Sequence, residues 1–263
     1  MNNSPIGIFD SGLGGLTVLL EIRKKLPKES IIYFADKKNC PFGNKTQQEI
    51  RDFTVLALRW LVKNHVKLIV VACNTASTMG IQYYRKLFPD MEIVGVVPAV
   101  KTAALITKNK HIGVFSTKMT SHSPYLKKLI NTYCEGIKVV NLGSEKLAEL
   151  IEKGNFNGGE ITDELSKYIT TFQKNQIDAL VLGCTHYPFI AKIIEKLFKG
   201  KVKLIDSGEA VARKAASVLK VKRMVGGRFD TTEKYYTTAD TEKTSDIASF
   251  LLRKSVHFDK IDL

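Results

Sequence analysis

No apolar stretch of this chain is long enough to cross a bilayer. The longest runs, such as 93–100, fall far short of the roughly 18 to 20 residues that a spanning helix needs. The N-terminus, Met1-Asn2-Asn3-Ser4-Pro5, has neither a basic flank nor an apolar signal segment, so the expected compartment is the cytoplasm. Cysteine is sparse, with Cys40, Cys73, Cys134 and Cys184 scattered over 263 residues. None forms a Cys-x-x-Cys pair and no histidine pair stands at zinc-ligand spacing, which argues against a structural zinc, a disulfide scaffold and a dithiol redox protein. Reduced thiols and no metal are expected. Dense basic helices and base-stacking aromatic ladders are also missing, although the formal charge is +14 and the pI is near 9.5. The lysines come in dispersed pairs, such as Lys24-Lys25, Lys37-Lys38 and Lys127-Lys128. They read as a solvated basic surface, so neither a membrane nor a specific nucleic-acid partner is expected.

What the chain does have is a regular alternation of short apolar runs and longer amphipathic stretches. Strands are expected at 6–9, 31–35, 68–72, 92–96, 112–115, 138–141, 179–182, 203–205 and 235–238. Helices are expected at 16–26, 46–64, 77–88, 100–107, 123–134, 144–153, 159–174, 189–198 and 207–219. Strict alternation implies β-α-β crossovers, hence an α/β fold with mainly parallel sheet. An internal echo refines this. Ile6-Gly7-Ile8-Phe9-Asp10-Ser11 recurs as Ile112-Gly113-Val114-Phe115-Ser116-Thr117, and a similar offset separates Cys73 from Cys184. Two similar α/β domains with a pseudo-twofold relation are therefore expected, with the active site in the cleft where strands present their carboxyl ends.

Cys73 and Cys184 each end an apolar strand and are followed at once by polar residues, Asn74-Thr75 and Thr185-His186. Free cysteine is commonly buried and inert, but a strand that delivers a thiol among hydroxyl, amide and imidazole groups is suited to presenting a base or nucleophile. His186, two residues after Cys184, is placed to act as its acid/base partner. A nucleophile acting once needs a single thiol. Two thiols on opposite walls suit a reaction in which a proton leaves one face of a carbon and another arrives at the opposite face, namely racemisation without a cofactor. No cradle for pyridoxal phosphate is evident, although abundant lysines leave a Schiff base open. The glycine-rich loop 10–16 could bind an anionic group through its amides, and Asp10 could simply cap the turn. The loop 36–44 reads equally as a surface turn or a substrate-contacting loop. Cys40 and Cys134 read as bystanders.

The motifs taken together give a resemblance. Gly7-Ile8-Phe9-Asp10-Ser11-Gly12-Leu13-Gly14-Gly15-Leu16-Thr17, Cys40-Pro41-Phe42-Gly43, Val71-Ala72-Cys73-Asn74-Thr75-Ala76, Gly95-Val96-Val97-Pro98-Ala99-Val100, Leu182-Gly183-Cys184-Thr185-His186-Tyr187-Pro188 and Ile205-Asp206-Ser207-Gly208 follow in family order along almost the whole chain. The chain thereby resembles the glutamate racemases, within the wider family of cofactor-independent aspartate/glutamate racemases. The resemblance implies reversible interconversion of L- and D-glutamate, supplying D-glutamate for peptidoglycan. It implies that Cys184 takes the α-proton of L-glutamate while Cys73 protonates the other face, with Asp10 assisting Cys73 and His186 assisting Cys184. It places Asp10, Ser11, Phe42, Gly43, Asn74, Thr75, Thr185 and His186 at substrate-contact positions, and divides the chain into a first domain, 1–97 with 208–263, and a second, 98–207. No cofactor is expected, and a homodimer is.

One departure stands out: the family's Pro-Tyr-Gly is here Pro41-Phe42-Gly43, so a phenolic hydroxyl is missing. Rival expectations are a racemase for another acidic amino acid, a decarboxylase on the same scaffold, and a binding protein that engages nucleic acid through its basic surface. Domain closure around the substrate is expected, because a thiolate can remove an α-proton only in a dry site that stabilises the developing charge.

Overall fold

The computed structural model describes residues 2–227 and 230–263. From the N-terminus, β1 (Ile6–Asp10), α1 (Leu16–Lys25), β2 (Ile31–Ala35), α2 (Gln47–Lys63), β3 (Leu68–Val71), α3 (Asn74–Leu87) and β4 (Ile93–Gly95) alternate. There follow α4 (Val100–Ile106), β5 (His111–Thr117), α5 (Lys118–Ser121), α6 (Pro124–Tyr133), β6 (Lys138–Ser144), α7 (Leu147–Glu152), α8 (Gly159–Lys174), β7 (Ala179–Gly183), α9 (Ala191–Leu197) and β8 (Lys203–Ile205). The chain then returns through α10 (Gly208–Val221), β9 (Glu233–Thr237), α11 (Thr241–Leu252) and β10 (Phe258–Lys260). No helix among the described residues is long and apolar enough to cross a membrane.

Six strands form one sheet in the order β10-β9-β2-β1-β3-β4, and four form a second in the order β6-β5-β7-β8. All the pairings are parallel. The run β2-β1-β3-β4 has the same order as β6-β5-β7-β8, so the sequence echo between β1 and β5 is an echo of topology: each is the strand from which its sheet is wound both ways. The apolar runs are continuous because helices cover both faces. In the first sheet Ile6, Ile8, Tyr33, Leu68 and Val70 point into one core, and Phe9, Phe34, Ile69 and Val71 into the other. The second sheet divides likewise, with Ile112, Val114 and Val181 on one side and Phe115, Leu180 and Leu182 on the other. This is the period-two alternation of a strand buried on both faces.

The structure departs from the sequence-based expectation at several elements: β6 runs on to Ser144 so that α7 begins only at Leu147, and the short α5 is additional. α3 starts at Asn74 rather than Ser77, because Cys73 is its N-cap and the thiol accepts from Ala76 N at 3.4 Å. α11 and β10 were not expected. Asp240 starts α11 by accepting from Lys243 N at 2.7 Å, and β10 is a three-residue strand paired to β9.

Candidate active site

The parallel register brings the functional residues to the carboxyl edges of the two sheets. Phe9 of β1 lies opposite Val71 of β3, so Asp10 and Ser11 leave β1 level with Ala72 and Cys73. Ser116 of β5 lies opposite Gly183 of β7, and Cys184 is the next residue. Between the edges lies a narrow cavity bordered by Ser11, Pro41, Phe42, Gly43, Cys73, Asn74, Thr75, Thr117, Ala148, Cys184, Thr185 and His186. Both thiols thus face one cavity. Every residue picked out from the sequence as a site candidate borders it except Asp10, which is fully buried behind the wall.

Contacts behind the two thiols differ. Cys73 Sγ is 3.5 Å from Ser11 Oγ. Asp10 closes its own loop by accepting from Gly12 N at 2.8 Å, and it accepts from Thr185 Oγ1 at 3.2 Å across the cleft. Cys184 Sγ is 3.5 Å from His186 Nδ1, and the far side of that ring, Nε2, is 2.5 Å from Glu152 Oε1. The same carboxylate oxygen accepts from Leu13 N at 2.5 Å, while Oε2 pairs with Lys37 Nζ at 2.6 Å. The loop amide that the sequence suggested for an anion is therefore engaged by the protein's own carboxylate. Glycine permits this approach: a β-carbon on Gly14 would lie 2.5 Å from Thr185 Oγ1 and 2.6 Å from His186 Nδ1.

The electrostatics follow from burial and these partners. Burial pushes the Cys73 thiol up to about 12, with the Asp10 charge adding to it; the hydrogen bonds from Ser11 and Ala76 recover only part. Cys73 is accordingly a neutral thiol, a proton donor in wait. Burial also raises Asp10 above the usual carboxylate range, against the pull of the His186 charge and the Gly12 amide. For His186 burial favours the neutral ring, but the hydrogen bond and charge of Cys184, and then of Glu152, outweigh it and hold the imidazole well above its ordinary value. Glu152 is the counterpart. Burial opposes its ionisation, yet His186 and Lys37 hold it down at about 2. The ring is a cation held between the Glu152 carboxylate and the Cys184 sulfur.

The polar groups that border the cavity are partly unsatisfied. Asn74 Oδ1 is buried without a hydrogen-bond partner. Thr75 Oγ1 meets Thr117 Oγ1 at 3.0 Å and Thr120 Oγ1 at 3.3 Å, a hydroxyl cluster that joins the start of α3 to the end of β5. Phe42 is buried with its ring 6.2 Å from that of Phe9 and 6.1 Å from that of Phe53. The departure from tyrosine therefore falls within the aromatic packing of the first sheet, and the adjoining Gly43 has no room for a side chain: a β-carbon there would lie 2.8 Å from Thr117 Cβ.

Sequence reasoning did not find Glu152, Lys37 or Thr117. Glu152 ends α7 in a Leu-Ile-Glu-Lys run with no chemical neighbour in the chain; only folding brings it to His186. Thr117 had a signal, since it is the counterpart of Ser11 in the internal echo. Cys40 is closer to the site than the bystander reading implied. Its sulfur, a Glu152 oxygen and a His186 nitrogen lie within 4.8 Å of one another. Cysteine, carboxylate and imidazole are metal-ligand types, but here the carboxylate and ring pair with each other and Lys37 takes the second oxygen, so the cluster is satisfied as a hydrogen-bond network. Cys134, by contrast, sits in the second sheet's core.

Comparison with known proteins agrees with this geometry. The Asp/Glu/Hydantoin racemase family model matches residues 17–215. A glutamate racemase of Stutzerimonas stutzeri is 35% identical over 248 residues, covering 94% of each chain. A crystal structure of a glutamate racemase isoform from Bacillus anthracis superposes with a TM-score of 0.92 at 31% identity, covering 100% of this chain and 99% of that one. One of glutamate racemase from Francisella tularensis, in complex with D-glutamate, superposes at 0.88 with 29% identity, covering 100% and 98%. On the matched family model and these relatives, the chain belongs to the Asp/Glu racemase family, among its glutamate racemases.

Proposed function

We propose that this protein interconverts L- and D-glutamate without a cofactor, with Cys184 and Cys73 as the two bases. The observation that carries the reading is that two thiols from equivalent strand ends of two sheets border the same cavity. In the L-to-D direction Cys184, backed by the His186 cation, takes the α-proton, and the neutral Cys73 thiol delivers its proton to the opposite face. In reverse the roles exchange, with Asp10 beside Cys73 as the assisting carboxylate. The α-hydrogen of an amino acid is far less acidic than a thiol, so the carbanion must be stabilised as it forms. The N-terminus of α3 opens on the cavity at Asn74 and Thr75, and its free amides and dipole favour a substrate carboxylate. The unpartnered Asn74 Oδ1 suits the substrate ammonium. Glu152 acts through His186, holding its ring turned toward Cys184.

The same reading places the cleft between a first domain, 1–97 with 208–263, and a second, 98–207. Its support is that the six-stranded sheet draws on β1 to β4 with β9 and β10, and the four-stranded sheet on β5 to β8. A cytoplasmic homodimer that supplies D-glutamate for peptidoglycan completes the reading; these features rest on the resemblance. The test is chiral analysis of L-glutamate, D-glutamate, L-aspartate and D-aspartate incubated with the protein and no added cofactor. Convergence of both glutamate enantiomers on an equal mixture is expected. A preference for aspartate, or a requirement for pyridoxal phosphate, would overturn it.

A further inference from the structure

Lys37 opens the short 3-10 turn that follows β2, on the first sheet's side of the cleft, yet its side chain is spent on the second. Its ammonium is 2.6 Å from Glu152 Oε2 and 3.0 Å from the Glu152 carbonyl oxygen. The two side chains are 13% and 7% exposed, whereas the lysines of the surface pairs with Glu21 and Glu149 are 70% and 63% exposed. An ammonium withdrawn from water in this way is stabilised only by a fixed anion. The anion it has found is the one that orients the imidazole beside Cys184.

The contacts form a single line from Lys37 through Glu152 and His186 to Cys184. Among the described residues no lysine or arginine stands behind Cys73, whose partners are Ser11 and the Ala76 amide with Asp10 nearby. We infer that Lys37 is a positioning residue for one face of the reaction: it fixes the orientation and charge of Glu152, and through it the His186 ring that serves Cys184. The inference rests on reading the chain as a two-thiol glutamate racemase. Because Lys37 belongs to the first sheet's side and the other three residues to the second, the line is complete only when the two sides meet. Closure of the cleft then aligns the Cys184 base as well as excluding water. A purely structural clasp is a poorer account, since Thr17 to Thr185, Asp10 to Thr185 and Leu13 to Glu152 already join the two sides without Lys37.

The test uses the whole protein with K37M and K37R, and K37Q should K37M fail to fold. Enantiomers are equal in free energy, so kcat/KM must be the same in both directions for every variant, and rates alone cannot say which face has been damaged. Primary deuterium isotope effects can. From 2-deuterated L-glutamate the deuteron is taken by Cys184, and from the D-enantiomer by Cys73. In K37M, kcat/KM is expected to fall about tenfold or more. The isotope effect on it should rise for L-glutamate and shrink toward unity for D-glutamate, because transfer at Cys184 has become the slower step. K37R should recover most of the loss. A K37M value within twofold of wild type, or isotope effects that move together in both directions, would overturn the inference. A wild-type protein that fails to racemise glutamate would instead remove the reading beneath it, and the inference with it.

Discussion

Glu152 and His186 are 34 residues apart in the chain and 2.5 Å apart in the structure, and each holds the other in its charged form. The sign of their contribution to stability differs at the two ends of the pH scale. The carboxyl is held down at about 2 against an ordinary value of 4.5, so its contribution is complete above pH 4.5 and is lost as pH falls from there toward 2. The imidazole is raised, so its contribution is present below 6.5 and is lost as pH rises through its elevated value. The two shifts share the Glu152–His186 contact, to which Cys184 adds for the imidazole and Lys37 for the carboxyl, so they are not summed. A shift of this size corresponds to about 3 kcal/mol. Denaturant unfolding between pH 7 and pH 2 should show this loss in the wild type, and Glu152→Gln should lack that part of the slope. Parallel wild-type and variant curves would contradict the assignment.

Gly14→Ala tests whether close approach of the two sides is required. The new methyl would occupy the space of Thr185 Oγ1 and His186 Nδ1. Steady-state kinetics should show kcat reduced by roughly a hundredfold, since small misplacements of acid/base groups are costly. Unfolding should show a loss of about 1–3 kcal/mol from overpacking. Unchanged kcat would mean that the substrate-bound form holds these residues farther apart.

The Cys73 thiol, pushed up to about 12, should react slowly with iodoacetamide at neutral pH. Below that value the thiolate fraction grows tenfold per pH unit, and the modification rate should follow it. Mass spectrometry of peptides containing Cys73 after timed labelling at pH 7, 8 and 9 provides the measurement. A rate that grows clearly less than tenfold between pH 8 and pH 9 would show a thiol of more ordinary acidity.

Phe42→Tyr addresses the departure from the family motif. Because the Phe42 ring packs with Phe9 and Phe53, the added hydroxyl should change kcat/KM by less than about threefold. Its burial should cost on the order of 1–2 kcal/mol of stability unless it gains a partner. A large gain in kcat/KM would show that the phenolic oxygen reaches substrate.

Much of this was legible in the sequence, for physical reasons. A parallel sheet covered on both faces writes its strands as unbroken apolar runs, as at 68–71 and 179–183, and the strand-end position of each cysteine follows from where such a run stops. The parts that were not legible depend on contacts far apart in the chain. Glu152 looks like any acidic residue at the end of a helix until α7 is set against the loop after β1. Lys37 looks like half of a surface pair. The start of α3 lies earlier than the pattern of residues suggests because a thiol is an uncommon cap, and α11 leaves no amphipathic signal because its first half, Thr241 to Asp246, is wholly polar. β10 is too short for any periodicity to register.

The central claim is that two thiols serve opposite faces of one carbon. It is tested most directly by incubating wild type, Cys73→Ala and Cys184→Ala with each glutamate enantiomer in deuterated water, following both α-deuterium incorporation and chirality. The account predicts exchange and racemisation in the wild type and loss of racemisation in both single variants. Racemisation that survives either substitution would contradict it.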